Sequence, residues 1–186
     1  MKRLLAIILM SAPLTACLDF ERMTMRFDLK SLSGELEYIN LVSDNPESVE
    51  QDFQELLRYV NEPVLKQENP GWGNINKELY EVDGQLNGRV TYEVISLADA
   101  GIYKHDRRSP YIYCADSVVL RTNGRDISHT LDGCVAWDRK TKVLELELGD
   151  GVAAESTSLL GHWTNHQNPK SSGSPDGMPR GGAPAR

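Results

Sequence analysis

The sequence predicts an α+β fold made mainly of antiparallel β-sheet: seven or eight strands, able to curl into a sandwich or partial barrel, with one amphipathic helix. Three observations predict it. Short segments alternate apolar and polar side chains at period two, clusters of Asn, Asp, Gly and Pro separate them, and a single stretch carries apolar residues at helical spacing. The 186 residues are 40% apolar and 25% charged, which is material for one domain core. No run reaches the ~20 apolar residues of a membrane-spanning helix, which excludes a polytopic helical membrane protein. The formal charge of −7 lacks the basic excess that nucleic-acid affinity rests on, so no nucleic-acid partner is expected.

The elements follow in order. Residues 23–30 alternate as a half-buried strand, 31–34 turn, and 35–42 read as the partner strand, with the alternation slipping near Ile39. The helix comes next. Asn45 suits the cap, Pro46 the first helical position and Glu47 the dipole. Val49, Phe53, Leu56, Leu57 and Val60 then form one apolar stripe that packs on the sheet, with Glu50, Gln51, Asp52, Glu55 and Arg58 on the other face. Pro63 ends it. Residues 67–74 read as a loop, and 77–82 with 89–97 as a hairpin around the segment 83–88. A charged loop spans 98–110. Strands are expected at 111–121, 127–131, 134–138 and 142–148, the last with Leu144, Leu146 and Leu148 on one side. Asn123-Gly124 between β-rich arms predicts a two-residue hairpin turn.

That turn bears on the cysteines. It would bring Cys114 and Cys134 within one position of facing each other, and one bulge residue near Asp132-Gly133 would align them for a disulfide. A redox or metal role is the alternative, but there is no Cys-x-x-Cys and no histidine at zinc-like spacing.

The N-terminus has a basic start (Lys2, Arg3), a seven-residue apolar core from Leu4 to Met10, and small residues before Cys17, the layout of a secretory signal peptide. Leu14-Thr15-Ala16-Cys17 resembles a bacterial lipobox. The resemblance to the bacterial lipoprotein class implies cleavage before Cys17, a diacylglycerol on its thiol, further acylation such as palmitate, and a place in the cell envelope. Leu18 after Cys17, rather than aspartate, resembles the outer-membrane default. The expected organisation is a signal peptide (1–16), a lipidated tether (17–22), one globular domain (23–164) and a disordered Pro/Gly/Ser-rich tail (165–186).

Chemistry is harder to find. No G-x-S-x-G, H-E-x-x-H, P-loop or EF-hand pattern is present, and neither a cofactor nor a bound metal is expected. His162 and His166 have the i, i+4 spacing of a metal pair, but Trp163-Thr164-Asn165 between them is a poor helix and solvated histidines are the better reading. The segment 103–110 concentrates Lys104, His105, Arg107 and Arg108 in an acidic chain and could grip a phosphate, a carboxylate or an acidic partner. A solvated connection with Asp106 pairing an arginine is the plainer alternative. Trp72, Trp137, Trp163 and the tyrosines at 103, 111 and 113 suit either core packing or glycan stacking. The expectation is a lipid-anchored, non-enzymatic envelope protein that binds or positions another envelope component, protein or glycan. A glycan- or small-anion-binding domain, and a hydrolase with an unrecognised carboxylate pair, are the alternatives.

Overall fold

Apolar–polar alternation starts earlier than residue 23 once its partner strand is known. In a computed structural model that describes residues 18–131, 133–149 and 155–168, β1 runs over Leu18–Asp28 and pairs along its length with β2, Ser33–Ser43. Residues 18–22, expected as a tether, are therefore sheet: Leu18 faces Ser43 and Phe20 faces Leu41. The sequence slip near Ile39 has a physical source. Asn40 takes a left-handed conformation (φ 57°), and Leu41, Val42 and Ser43 behind it are all buried. Its N–H donates to the buried Asn87 Oδ1 at 2.9 Å and its amide to Glu21 Oε2 at 3.1 Å.

Helix α1 spans Val49–Asn61 and buries Phe53 and Leu56 as its stripe requires. It begins later than the Asn45-Pro46 signal suggests, because Asn45 Oδ1 accepts the N–H of Glu47 and closes a preceding turn. Asp52 lies on the buried face, not the solvent face. It is fully buried, and its Oδ2 accepts the Ser43 hydroxyl at 2.5 Å and the Ser48 hydroxyl at 2.9 Å. A short helix α2, Val64–Glu68, occupies part of the stretch expected as loop.

Strands β3, Trp72–Val82, and β4, Gln85–Val94, form a hairpin tighter than the one expected around 83–88. Asp83 and Gly84 both have positive φ (53° and 75°), so two residues suffice, and this geometry matches the twist of the flanking strands. A 3₁₀ turn, Leu97–Ala100, is capped by reciprocal Ser96–Asp99 bonds. Then come β5, Tyr111–Cys114; β6, Val118–Thr122; β7, Arg125–Asp126; β8, Cys134–Trp137; β9, Val143–Gly149; β10, Thr157–Ser158; and α3, Leu160–Gln167. Residues 127–131 form turns, not the expected strand, and residues 165–167, expected in the tail, belong to α3.

The fold is α+β and mainly antiparallel, with ten strands and three helices among the described residues. The large sheet runs β3-β4-β2-β1-β9-β6, with β10 beside β2; the small one runs β5-β8-β7. The large sheet keeps β3 and β6 as edges, so it does not close as a barrel. Val135 and Trp137 of β8 share a cluster with Met25, Phe27, Leu144 and Leu146, which lays the small sheet on the large one in the manner of a sandwich. A second cluster, around Leu41, Phe53, Leu56, Leu86 and Leu159, seats α1 and α3.

Cys114 and Cys134 face each other between β5 and β8, 4.0 Å apart at Cα, and are joined by a disulfide. The pairing is the expected one but its cause is not. Asn123-Gly124 makes no hairpin: β6 pairs with β9 and β7 with β8, so the chain changes sheets there. A Cβ on Gly124 would lie 2.7 Å from the Trp137 ring and 2.9 Å from Ala136 O. Glycine is needed at this corner for its lack of a side chain. Asp132, Cys17 with its signal peptide, and residues 169–186 lie outside the described residues.

Candidate functional site

The loop before β5 is less free than its charge suggests. Tyr103 and Ile112 exchange both backbone hydrogen bonds, at 2.8 and 2.9 Å, and close the loop at its base. Inside it, Asp106 Oδ1 accepts the N–H groups of Arg108 and Ser109 and the Ser109 hydroxyl, at 2.7–2.8 Å. The Ser109 hydroxyl bond, then these N–H groups, hold the Asp106 carboxyl below the usual carboxylate range. The carboxylate thus orders the turn instead of pairing Arg107 or Arg108. Lys104 sits with its Nζ 3.8 Å above the Tyr111 ring, a cation–π contact. His105, Arg107 and Arg108 are exposed.

Strand register brings Arg108 into company that the sequence hides. Tyr111 faces Trp137 and Arg125 faces Ala136, so the chain before β5, the start of β7 and the turn after β8 meet at one end of the small sheet. There Arg108, Arg125 and Arg139, with Asp138, surround a crevice of about 520 Å³ whose walls include Trp137, Asn123 and Gly124. The floor is rigid. Asn123 Oδ1 accepts the Trp137 indole N–H at 2.7 Å and Glu145 N–H at 3.0 Å, while its amide donates to Val143 O at 3.0 Å. Asp138 Oδ1 is held by Lys140 N–H at 2.8 Å.

Four other arginines of the domain are held by carboxylates. Arg22 pairs with Glu147, Arg26 with Glu145, Arg58 with Glu55, and Arg89 with Glu35, Glu37 and Glu78. Among the described residues, Arg107, Arg108, Arg121, Arg125 and Arg139 form no ion pair, and three of these five line the one crevice. Three arginines that line one crevice without an ion pair, with Asp138 as its one carboxylate, supply planar, always-charged donor forks suited to phosphate or carboxylate oxygens. Arg125 and Arg139 were invisible to sequence reading because they stand 14 positions apart in two turn segments, and only the pairing of β7 with β8 brings them together.

The other expected candidates disperse. Trp72 is buried, stacked on Tyr92 with ring centroids 3.8 Å apart, and its indole N–H donates to Asp99 O at 2.8 Å, so it offers no binding face. Trp137 is core, and Trp163 packs half-buried beside α1. His162 and His166 do lie on a helix. Both flank the Phe53 ring, and His162 Nδ1 is 3.0 Å from Glu50 Oε2. Among the described residues no group of three His, Cys, Asp or Glu side chains is placed to hold a metal, and no helix is long and apolar enough to cross a membrane.

Comparison with known protein families, curated proteins and solved structures finds no match for this chain.

Proposed function

We propose that this chain is a lipid-anchored, non-enzymatic protein of the cell envelope, with the outer membrane as its site, that holds another envelope component by an anionic group. The Arg108–Arg125–Arg139 crevice is the observation that carries the reading: three arginines without carboxylate partners meet in a chain whose formal charge is −7. Cys17 in its lipobox supports the anchor and Leu18 the outer membrane. The crevice takes phosphate or carboxylate groups through guanidinium forks, while the acidic remainder of the domain repels anions and confines them to this end.

Two measurements test this. Intact mass of protein extracted from native membranes should match a chain starting at Cys17 plus acyl chains; an unacylated mass overturns the anchor. The anchored protein titrated with inorganic pyrophosphate should gain thermal stability with ligand concentration, as linkage requires. Poly-L-glutamate, run in parallel, separates phosphate from carboxylate preference. The triple substitution Arg108→Gln, Arg125→Gln and Arg139→Gln should abolish the gain and leave the unliganded melting temperature unchanged. A gain that survives it, or no gain with either anion, overturns the crevice as the site.

A further inference from the structure

Beneath α1 lies an apolar pocket of about 210 Å³, walled by Leu18, Phe20, Leu41, Leu56, Val60 and Leu79. We propose that one acyl chain of the lipid on Cys17 lies in this pocket, the remaining chains staying in the bilayer. The proposal rests on the lipid-anchor reading above and extends it from attachment to docking.

Three observations support that occupant. Position comes first: Leu18 is a wall of the pocket and is covalently next to Cys17. Size comes second. The volume exceeds the roughly 150 Å³ of an apolar void that admits a benzene-sized guest, and falls short of the ~300 Å³ where drug-sized sites begin. A stretch of a single alkyl chain fits between those limits.

The third is charge. Two cationic residues line the pocket, and both are engaged. Lys77 Nζ donates to Tyr59 O and Glu62 O, each at 2.6 Å, closing the C-terminal end of α1. Arg89 contacts Glu35, Glu37 and Glu78 at 3.2, 3.3 and 2.9 Å. A free fatty acid or an anionic phospholipid would find no unpaired cation for its head. A chain joined to Cys17 through a neutral ester or amide needs none. Gly88 lines the pocket without a side chain, and a Cβ there would touch Leu41 Cδ1 at 3.4 Å and Leu79 Cδ2 at 3.6 Å. The site can therefore be filled by substitution at an unstrained position.

The test feeds cells a palmitate analogue carrying a diazirine in its chain, isolates the full-length protein in membranes, irradiates it and maps crosslinks by mass spectrometry. The expected result is an intramolecular crosslink from the acylated Cys17 peptide to peptides holding Leu79, Gly88 or Leu56. In Gly88→Leu that crosslink should fall at least tenfold while Cys17 acylation by intact mass stays complete. Gly88→Ala, the smaller filling, should reduce it less, and matched melting curves confirm that both variants fold. Crosslinks to bilayer lipid alone overturn the docking but leave the anchor standing. An unacylated Cys17 overturns the anchor itself and the docking with it. If a Cys17→Ser chain is labelled in the pocket equally well, the occupant is an unattached lipid and the proposal fails.

Discussion

Removing the Asp52 carboxylate tests whether α1 is pinned to the sheet by polar contacts as well as by its apolar stripe. Asp52 is fully buried, and its Oδ2 receives the hydroxyls of Ser43, at the end of β2, and Ser48, at the start of α1. Hydrogen bonds to a charged acceptor contribute about 1.5–3 kcal/mol each. The two do not simply add. Both hydroxyls also lie within reach of Asn45 O, at 2.8 and 3.1 Å, and can turn to it when the carboxylate is gone. Asp52→Ala also removes the burden of burying a charge. The expected net loss is about 2–3 kcal/mol, which for a domain of this size lowers the melting temperature by roughly 5–10 °C. Ser43→Ala should cost about 1–2 kcal/mol, because Ser43 is fully buried and its hydroxyl bond to the Asp52 carboxylate is lost. Urea denaturation of the two single variants and the double variant gives a coupling energy, expected to exceed about 0.5 kcal/mol. If Asp52→Ala lies within that margin of the parent, or if the two losses add without coupling, the contact does not hold α1 in place.

Three further outcomes are expected. Replacing Cys114 and Cys134 together by alanine opens a loop of separation 20, which the chain-entropy model values at about 3 kcal/mol; an unchanged denaturation midpoint would refute it. Gly124→Ala forces a Cβ against Trp137 and Ala136 O and should cost about 1–3 kcal/mol by overpacking, with a shift in Trp137 fluorescence; a neutral effect in melting would show that the corner yields. Burial pushes the phenols of Tyr38, Tyr59 and Tyr80 from 10.0 up to about 12, and that of Tyr92 higher still. The folded state thus retains protons that the unfolded chain releases, so this stability is complete below pH 10 and is lost as pH rises through 10 to 12. Phenolate absorbance at 295 nm should therefore rise together with loss of circular dichroism; a midpoint near 10 with the fold intact would refute it.

The elements that could be read from the sequence are those whose cause is local. Leu144, Leu146 and Leu148 alternate because a strand with one buried face must, and they are buried at 0%, 3% and 1% exposure. Val49, Phe53 and Leu56 mark α1 because only helical spacing puts them on one stripe. Within the segment 83–88, expected as the turn, Asp83-Gly84 is the two-residue signal that the structure uses in full. Asn123-Gly124 carries the same kind of signal and is not used, because what decides that corner is the Trp137 ring beneath Gly124, a neighbour 13 positions on. Asp52 looked like any other acidic residue on a polar face, since nothing nearby in the chain announces that the Ser43 hydroxyl waits under it. Of the three arginines of the candidate site only Arg108 was legible, through the cations that stand together in the loop at 103–110, whereas Arg125 and Arg139 come from other segments.

The sequence alone determined the class of fold, the position of α1, the strongest strands, the candidate disulfide partners, and the expectation that Cys17 carries a lipid. Each depends on residue types within one segment, or on an even pair of cysteines, and periodicity or chemistry within a segment does not change with what packs beside it. Only the tertiary structure decided that β1 lies between β2 and β9, that β6 and β7 part into different sheets, that Trp72 is core, and that three unpaired arginines meet at one crevice. Those are matters of which strands pair and in what register, and register depends on buried surface gathered from the whole chain.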